Sequence, residues 1–144
     1  MTTESVSTSQ ACFRLFKTGA RTDQHYWDLL HFFPDPVAVL NLDGIVAYLN
    51  PAFEKVFGWR LAELQGRHIP FVPDHLKEAV RQEASRLQRE HTLYGLASQR
   101  LTKAGCLLDV ESSSAMFFGN DAERVGALVI LRDVTQQKRI ERSN

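Results

Sequence analysis

Cysteine is scarce in this chain, with two residues, Cys12 and Cys106, in 144. Two cysteines cannot build a disulfide framework, so a reducing, cytoplasmic setting is expected. Net charge is also absent, because 17 Lys and Arg balance 17 Asp and Glu. A chain without basic excess lacks the electrostatic footprint of a nucleic-acid binder, which works by counterion release. The same balance excludes a charge-rich disordered segment. No apolar run approaches the ~18–20 residues of a membrane span. The polar stretch from Met1 to Gln10 lacks the apolar centre of a signal peptide.

Several chemical signatures are missing too. There is no G-x-x-x-x-G-K or G-x-G-x-x-G to cradle a phosphate, no H-E-x-x-H or C-x-x-C, and no G-x-S-x-G elbow. The five histidines, His25, His31, His68, His75 and His91, are scattered without ligand spacing, so no metal site is expected. Cys106, beside a turn, reads as a small strand-edge residue rather than a nucleophile. With no catalytic constellation, the chain is not expected to be an enzyme.

What is present is an ordinary globular composition, 44% apolar and 24% charged, of a length suited to one domain. Residues 1–22 read as an N-terminal tail with a short apolar patch at Cys12, Phe13, Leu15 and Phe16. Asp23 opens a helix in which Tyr26, Leu30 and Phe33 recur at helical spacing, and Pro34 and Pro36 end it. Val37 to Leu40 and Ile45 to Leu49 are strands around an Asp43-Gly44 turn. Asn50 is suited to cap the next helix and Pro51 to begin it, with Gly58 as its stop. A second short helix, Arg60 to Gln65, precedes Gly66. A longer one starts at Pro73-Asp74 and runs to about Glu90, with the apolar stripe Leu76, Val80, Ala84 and Leu87.

Three strands follow: Tyr94 to Lys103, Leu107 to Phe118, and Arg124 to Val134. The run from Val125 to Leu131 suits a central strand covered on both faces. Asp133-Val134-Thr135-Gln136 has capping-box spacing, so an outgoing helix begins there. Strands grouped at both ends with helices between them indicate α+β: one antiparallel sheet with helices on one face.

Five short motifs in this order resemble a PAS domain over about Asp23 to Glu141. They are Leu42-Asp43-Gly44-Ile45-Val46; Tyr48-Leu49-Asn50-Pro51-Ala52-Phe53; Phe57-Gly58-Trp59 with Glu63-Leu64-Gln65-Gly66-Arg67; Lys103-Ala104-Gly105; and Leu131-Arg132-Asp133-Val134-Thr135. One departure is Ala104, where the family usually has Asp; an Asx-turn stabiliser is lost there. The resemblance implies a five-stranded antiparallel sheet over residues 23–134, with flanking N- and C-terminal helices, the latter beginning in 135–144. It also implies a sensory or regulatory module of a larger signalling protein, whose output domain is a histidine kinase, a cyclic-di-nucleotide enzyme or a transcription regulator. The alternative is a ligand-free dimerisation or interaction domain.

No cofactor is expected. The flavin-binding relatives carry a reactive Cys where this chain has Gly66-Arg67-His68-Ile69-Pro70-Phe71. The haem-binding relatives place a His in the middle of the long helix, whereas His75 and His91 flank it; Met116 or Cys106 could supply a ligand from the strands. Haem and flavin are therefore disfavoured against an unidentified small molecule.

Side-chain alternation puts Val110, Ser112, Ser114 and Met116 on one strand face and Asp109 and Glu111 on the wet one. Buried hydroxyls need partners, which suggests a small polar cavity with Tyr48 and Asn50 contributing. In the leading helix, Tyr26, Trp27, Leu29, Leu30 and Phe33 exceed what one domain face buries. A homodimer through Tyr26, Trp27, Leu30 and Phe33 is expected. Asp133, as an N-cap, and Thr135, bonding toward the sheet edge, are the expected transmission residues.

Overall fold

The computed structural model describes residues 28–119 and 124–143. The tail, the apolar patch near Cys12, Tyr26, Trp27 and most of the 119–121 loop lie outside the described residues. The leading helix is described from 28 to 32 and ends before Pro34.

Strand β1 (Val37–Asn41) and strand β2 (Val46–Leu49) form an antiparallel hairpin. Its turn is organised by Asn41, whose Oδ1 accepts from the backbone N–H of Asp43 at 2.8 Å and of Ile45 at 3.0 Å. Gly44 supplies the left-handed residue, with φ +79°.

Helix α1 (Pro51–Phe57) starts at the Asn50 cap with Pro51 in its first turn and ends at Gly58, φ +92°. Helix α2 (Leu61–Leu64) follows; the carboxylate of Glu63 accepts from the Arg60 N–H at 2.8 Å. Gly66 and Arg67 then return to β2, where Gly66 N–H donates to Val46 O and Val46 N–H to Arg67 O. These two bonds cover part of an otherwise open sheet edge. A 3-10 turn (Asp74–Leu76) leads into helix α3 (Lys77–Glu90).

Strands β3 (Thr92–Leu101), β4 (Leu107–Phe118) and β5 (Arg124–Asp133) complete an antiparallel sheet in the order β2-β1-β5-β4-β3, and helix α4 (Thr135–Ser143) leaves from β5. β5 is central, as its apolar run suggests. It is not covered on both faces throughout: Gly126 and Leu131 are buried, while Val125 and Ala127 to Ile130 are only half-buried. On the outer face, cover comes from a cluster in which Leu30 of the leading helix, Phe117 and Leu128 pack on Val39, Ala47 and Tyr48.

On the inner face, Phe53, Phe57 and Phe71 form an aromatic group with ring centroids 4.8–6.0 Å apart. They join Val46, Leu49, Leu64, Val110 and Leu131 in the main core. A smaller group, Leu87, Leu93 and Met116, closes the far end of the sheet. α3 does not close on the sheet between these groups. Of its expected stripe only Leu87 is buried; Leu76 and Val80 are half-buried and Ala84 is exposed.

Candidate functional site

Between α3 and the inner sheet face lies a cavity of about 300 Å³. α3 contributes Val80, Glu83, Ala84 and Leu87 to its wall. β4 contributes Ser112, Ser114 and Met116, which stand opposite Leu131, Val129 and Ala127 of β5. The expected hydroxyl-bearing face of β4 therefore meets this cavity, and its lining is mostly apolar.

Tyr48 and Asn50 are not there. Tyr48 points to the opposite sheet face, where its hydroxyl lies 2.9 Å from His31 Nδ1. Burial pushes its hydroxyl up to about 12, with Glu54 adding to the shift. The reason for the misplacement is register: a shift between Val39 and Leu40 separates the residues of the first hairpin between the two faces.

Asn50, fully buried, is consumed by the backbone. Its Oδ1 accepts from Val37 N–H at 2.8 Å and Phe53 N–H at 2.9 Å. Its Nδ2 donates to the carbonyls of Leu30, Phe33 and Asp35 at 3.0–3.3 Å.

Arg100 of β3 is the residue that sequence reasoning missed. Only 4% exposed, it lines the cavity. Its Nη1 donates to Ser98 Oγ at 2.6 Å and Gln99 O at 2.8 Å, and its guanidinium lies 5.3 Å from the Phe71 ring centroid. Its Nε is buried and has no hydrogen-bond partner among the described residues. Desolvation lowers its pKa, opposed by the charge of Glu83 across the cavity. A signal was present in the sequence: Gly95 inside a strand pattern marks a bulge. After the register shift between Leu93 and Leu96, the inward set becomes Leu96, Ser98 and Arg100, opposite Ser112, Val110 and Leu108.

At the exit, the first helical bond of α4 runs from Lys138 N–H to Val134 O, so Asp133 stands one residue outside the cap position expected for it. Its Oδ1 nonetheless accepts from Thr135 N–H at 3.0 Å and the Thr135 hydroxyl at 2.6 Å. Thr135 Oγ1 accepts from Asp109 N–H at 2.9 Å. That bond goes to β4, an interior strand, rather than to a sheet edge. Asp109 also meets Gln99 Nε2 of β3 at 3.2 Å and Arg142 Nη2 of α4 at 3.4 Å. Asp109 thus joins two strands to the outgoing helix instead of standing on a merely wet face.

Of the expected dimer residues, Leu30 packs on the chain's own sheet and Phe33 is 37% exposed. Leu29 at 64% and Phe32 at 77% are the larger exposed groups of the leading helix. Among the described residues, no helix is long and apolar enough to cross a membrane, and no cluster of His, Cys, Asp and Glu is able to hold a metal.

A family model described as PAS fold matches residues 30–139. Among solved structures, the PAS domain of a protein from Colwellia psychrerythraea superposes with a TM-score of 0.72 at 23% identity, covering 78% of this chain and 97% of that one. The PAS domain of an HTR-like protein from Haloarcula marismortui gives 0.64 at 24% identity, covering 78% and 92%. A third is the PAS domain, in complex with ethanol, of a transcriptional regulator in the LuxR family from Burkholderia thailandensis; it gives 0.62 at 14% identity, covering 76% and 96%. No curated protein matches the chain.

Proposed function

The chain belongs to the PAS fold family, and from that membership we propose that it is a non-enzymatic sensory module. In this reading a small organic ligand occupies the cavity under α3, and the change it causes reaches an output domain through α4. The observation that carries the proposal is the position of α3. Leu87 packs on Leu93 and Met116, but Val80 and Ala84 face a cavity of about 300 Å³ instead of closing on the sheet. An apolar stripe held off its sheet forfeits dispersion contacts that an apolar ligand restores. The PAS domain of the Burkholderia regulator is a complex with ethanol, which supports small-molecule binding by a domain of this fold.

The transmission route runs from the cavity wall to the exit. Gln99 accepts from Arg100 through its carbonyl and donates through its amide to Asp109, which holds Thr135 and Arg142. Neither haem nor flavin is invoked. Of the two sulfur candidates for a haem iron, Cys106 is exposed at the β3–β4 turn and Met116 lines the cavity. Native mass spectrometry and an absorbance spectrum of the purified chain test the proposal. A bound colourless small molecule is expected. Visible absorbance replaces the reading with a pigment-binding one, and an unliganded chain that no small molecule stabilises removes it.

Self-association is a second reading, favoured by the exposed Leu29 and Phe32 of the leading helix and Phe33 just after it. Analytical ultracentrifugation is expected to show a homodimer that Phe32→Asp weakens; a monomer at high micromolar concentration in the parent refutes it.

A further inference from the structure

We propose that the cavity selects a small organic monoanion, a carboxylate on an apolar body, and that Arg100 is its specificity-determining residue. This rests on the ligand-binding reading above and goes beyond it by naming the ligand's charge. A guanidinium that is only 4% exposed is costly unless its donors and its charge are matched. Here the protein matches one nitrogen. Nη1 is held by Ser98 Oγ and Gln99 O, and Phe71 lies beside the guanidinium, so the group is fixed in orientation. Among the described residues the Nε–H has no partner, and the wall around it is mostly apolar.

The edge of a guanidinium that carries Nε is one that grips a carboxylate with paired hydrogen bonds. The apolar stripe of α3 and Met116, Leu93 and Leu96 then surround the ligand's body. Two other charged residues border the cavity, Glu83 from α3 and Asp43 from the β1–β2 turn. Both are acidic and repel a dianion, which is why one negative charge is favoured. The charge of Glu83 opposes the lowering of the Arg100 pKa, but among the described residues its carboxylate makes no hydrogen bond to Nε, which leaves that donor for an incoming carboxylate.

At a liquid-water share of ~30 Å³ per molecule, 300 Å³ takes about ten water-sized groups, the size of octanoate. Isothermal titration of the whole chain with sodium octanoate and with octanamide, its neutral isostere, is the test. The parent is expected to bind octanoate at least about tenfold more tightly than octanamide, a difference of ~1.4 kcal/mol. Arg100→Met should erase that preference while still binding octanamide, and Glu83→Gln should tighten octanoate. Equal affinities in the parent, or undiminished preference in Arg100→Met, overturn the anion assignment and leave the ligand-binding reading standing. Failure of both compounds to bind the parent at about 10 mM, weaker than the millimolar end of ordinary affinities, removes both.

Discussion

Replacing Asn50 with Ala tests whether one side chain ties three elements together. The change removes an acceptor shared by Val37 N–H and Phe53 N–H, both in a fully buried setting. It also removes the donor that meets the carbonyls of Leu30, Phe33 and Asp35. A buried donor left unsatisfied costs ~1–3 kcal/mol, so two cost roughly 2–6, before any loss from the three carbonyls. Those three bonds are only part-buried, which tempers their share. The expected loss is therefore about 3–5 kcal/mol, a large part of the ~5–15 that holds a domain folded. Urea unfolding followed by tryptophan fluorescence reads it directly. With a slope of ~1–3 kcal/mol per molar, a loss of 3 kcal/mol lowers the midpoint by roughly 1–3 M. Asn50→Asp separates the two halves of the network, since its carboxylate still accepts from Val37 and Phe53 but faces the three carbonyls without a donor. It should fall between parent and Asn50→Ala in holding α1, and should loosen the 30–35 segment in hydrogen exchange. A midpoint shift under about 0.3 M for Asn50→Ala, with an unchanged slope, refutes the reasoning.

Three further outcomes are expected. Because the Tyr48 hydroxyl is pushed from 10.0 up to about 12, its neutral form is favoured by folding. Stability is then fully present below pH 10 and falls as pH rises from 10 toward 12, by on the order of 2 kcal/mol; Tyr48→Phe should flatten that alkaline loss, and an unchanged slope contradicts it. A Cβ at Gly126 would stand 2.3 Å from Leu40 O and 2.8 Å from the Phe117 ring, so Gly126→Ala should destabilise by at least the ~1–3 kcal/mol of overpacking, and an unaltered thermal midpoint argues against this close approach of β1 and β5. At the exit, Asp133→Ala and Thr135→Ala should each change the regulation of a fused output domain more than they change the melting temperature. Normal signal response in both variants reduces the junction to a helix cap worth ~0.5–2 kcal/mol.

Local chemistry was legible wherever one residue type has one conformational use. Asn50-Pro51 began a helix and Gly58 ended it, and the span of β4 from Leu107 to Phe118 followed from its turn residues alone. The inward set Ser112, Ser114 and Met116 was equally plain, because a strand without a bulge alternates strictly. The failures share a cause. Strict alternation puts Tyr48 on the inner face and Arg100 off it, and both are reversed by register shifts between Val39 and Leu40 and between Leu93 and Leu96. A shift of one residue transfers every following side chain to the other face, and the order of residues carries only a faint mark of it, such as Gly95.

Asp133 illustrates a narrower version of the same problem. Its capping chemistry is readable, but its placement one residue outside the helix depends on Asp109 of β4, whose N–H donates to Thr135 Oγ1 and whose carbonyl accepts from Val134 N–H. The gap beneath α3 was invisible for a different reason. Val80, Ala84 and Leu87 read as a stripe that seeks an apolar partner, whether that partner is a sheet or a ligand. Periodicity states which residues of a helix point the same way; how far that face stands from the sheet is decided by the volumes of side chains brought together from α3, β3, β4 and β5, and those meet only in the folded chain.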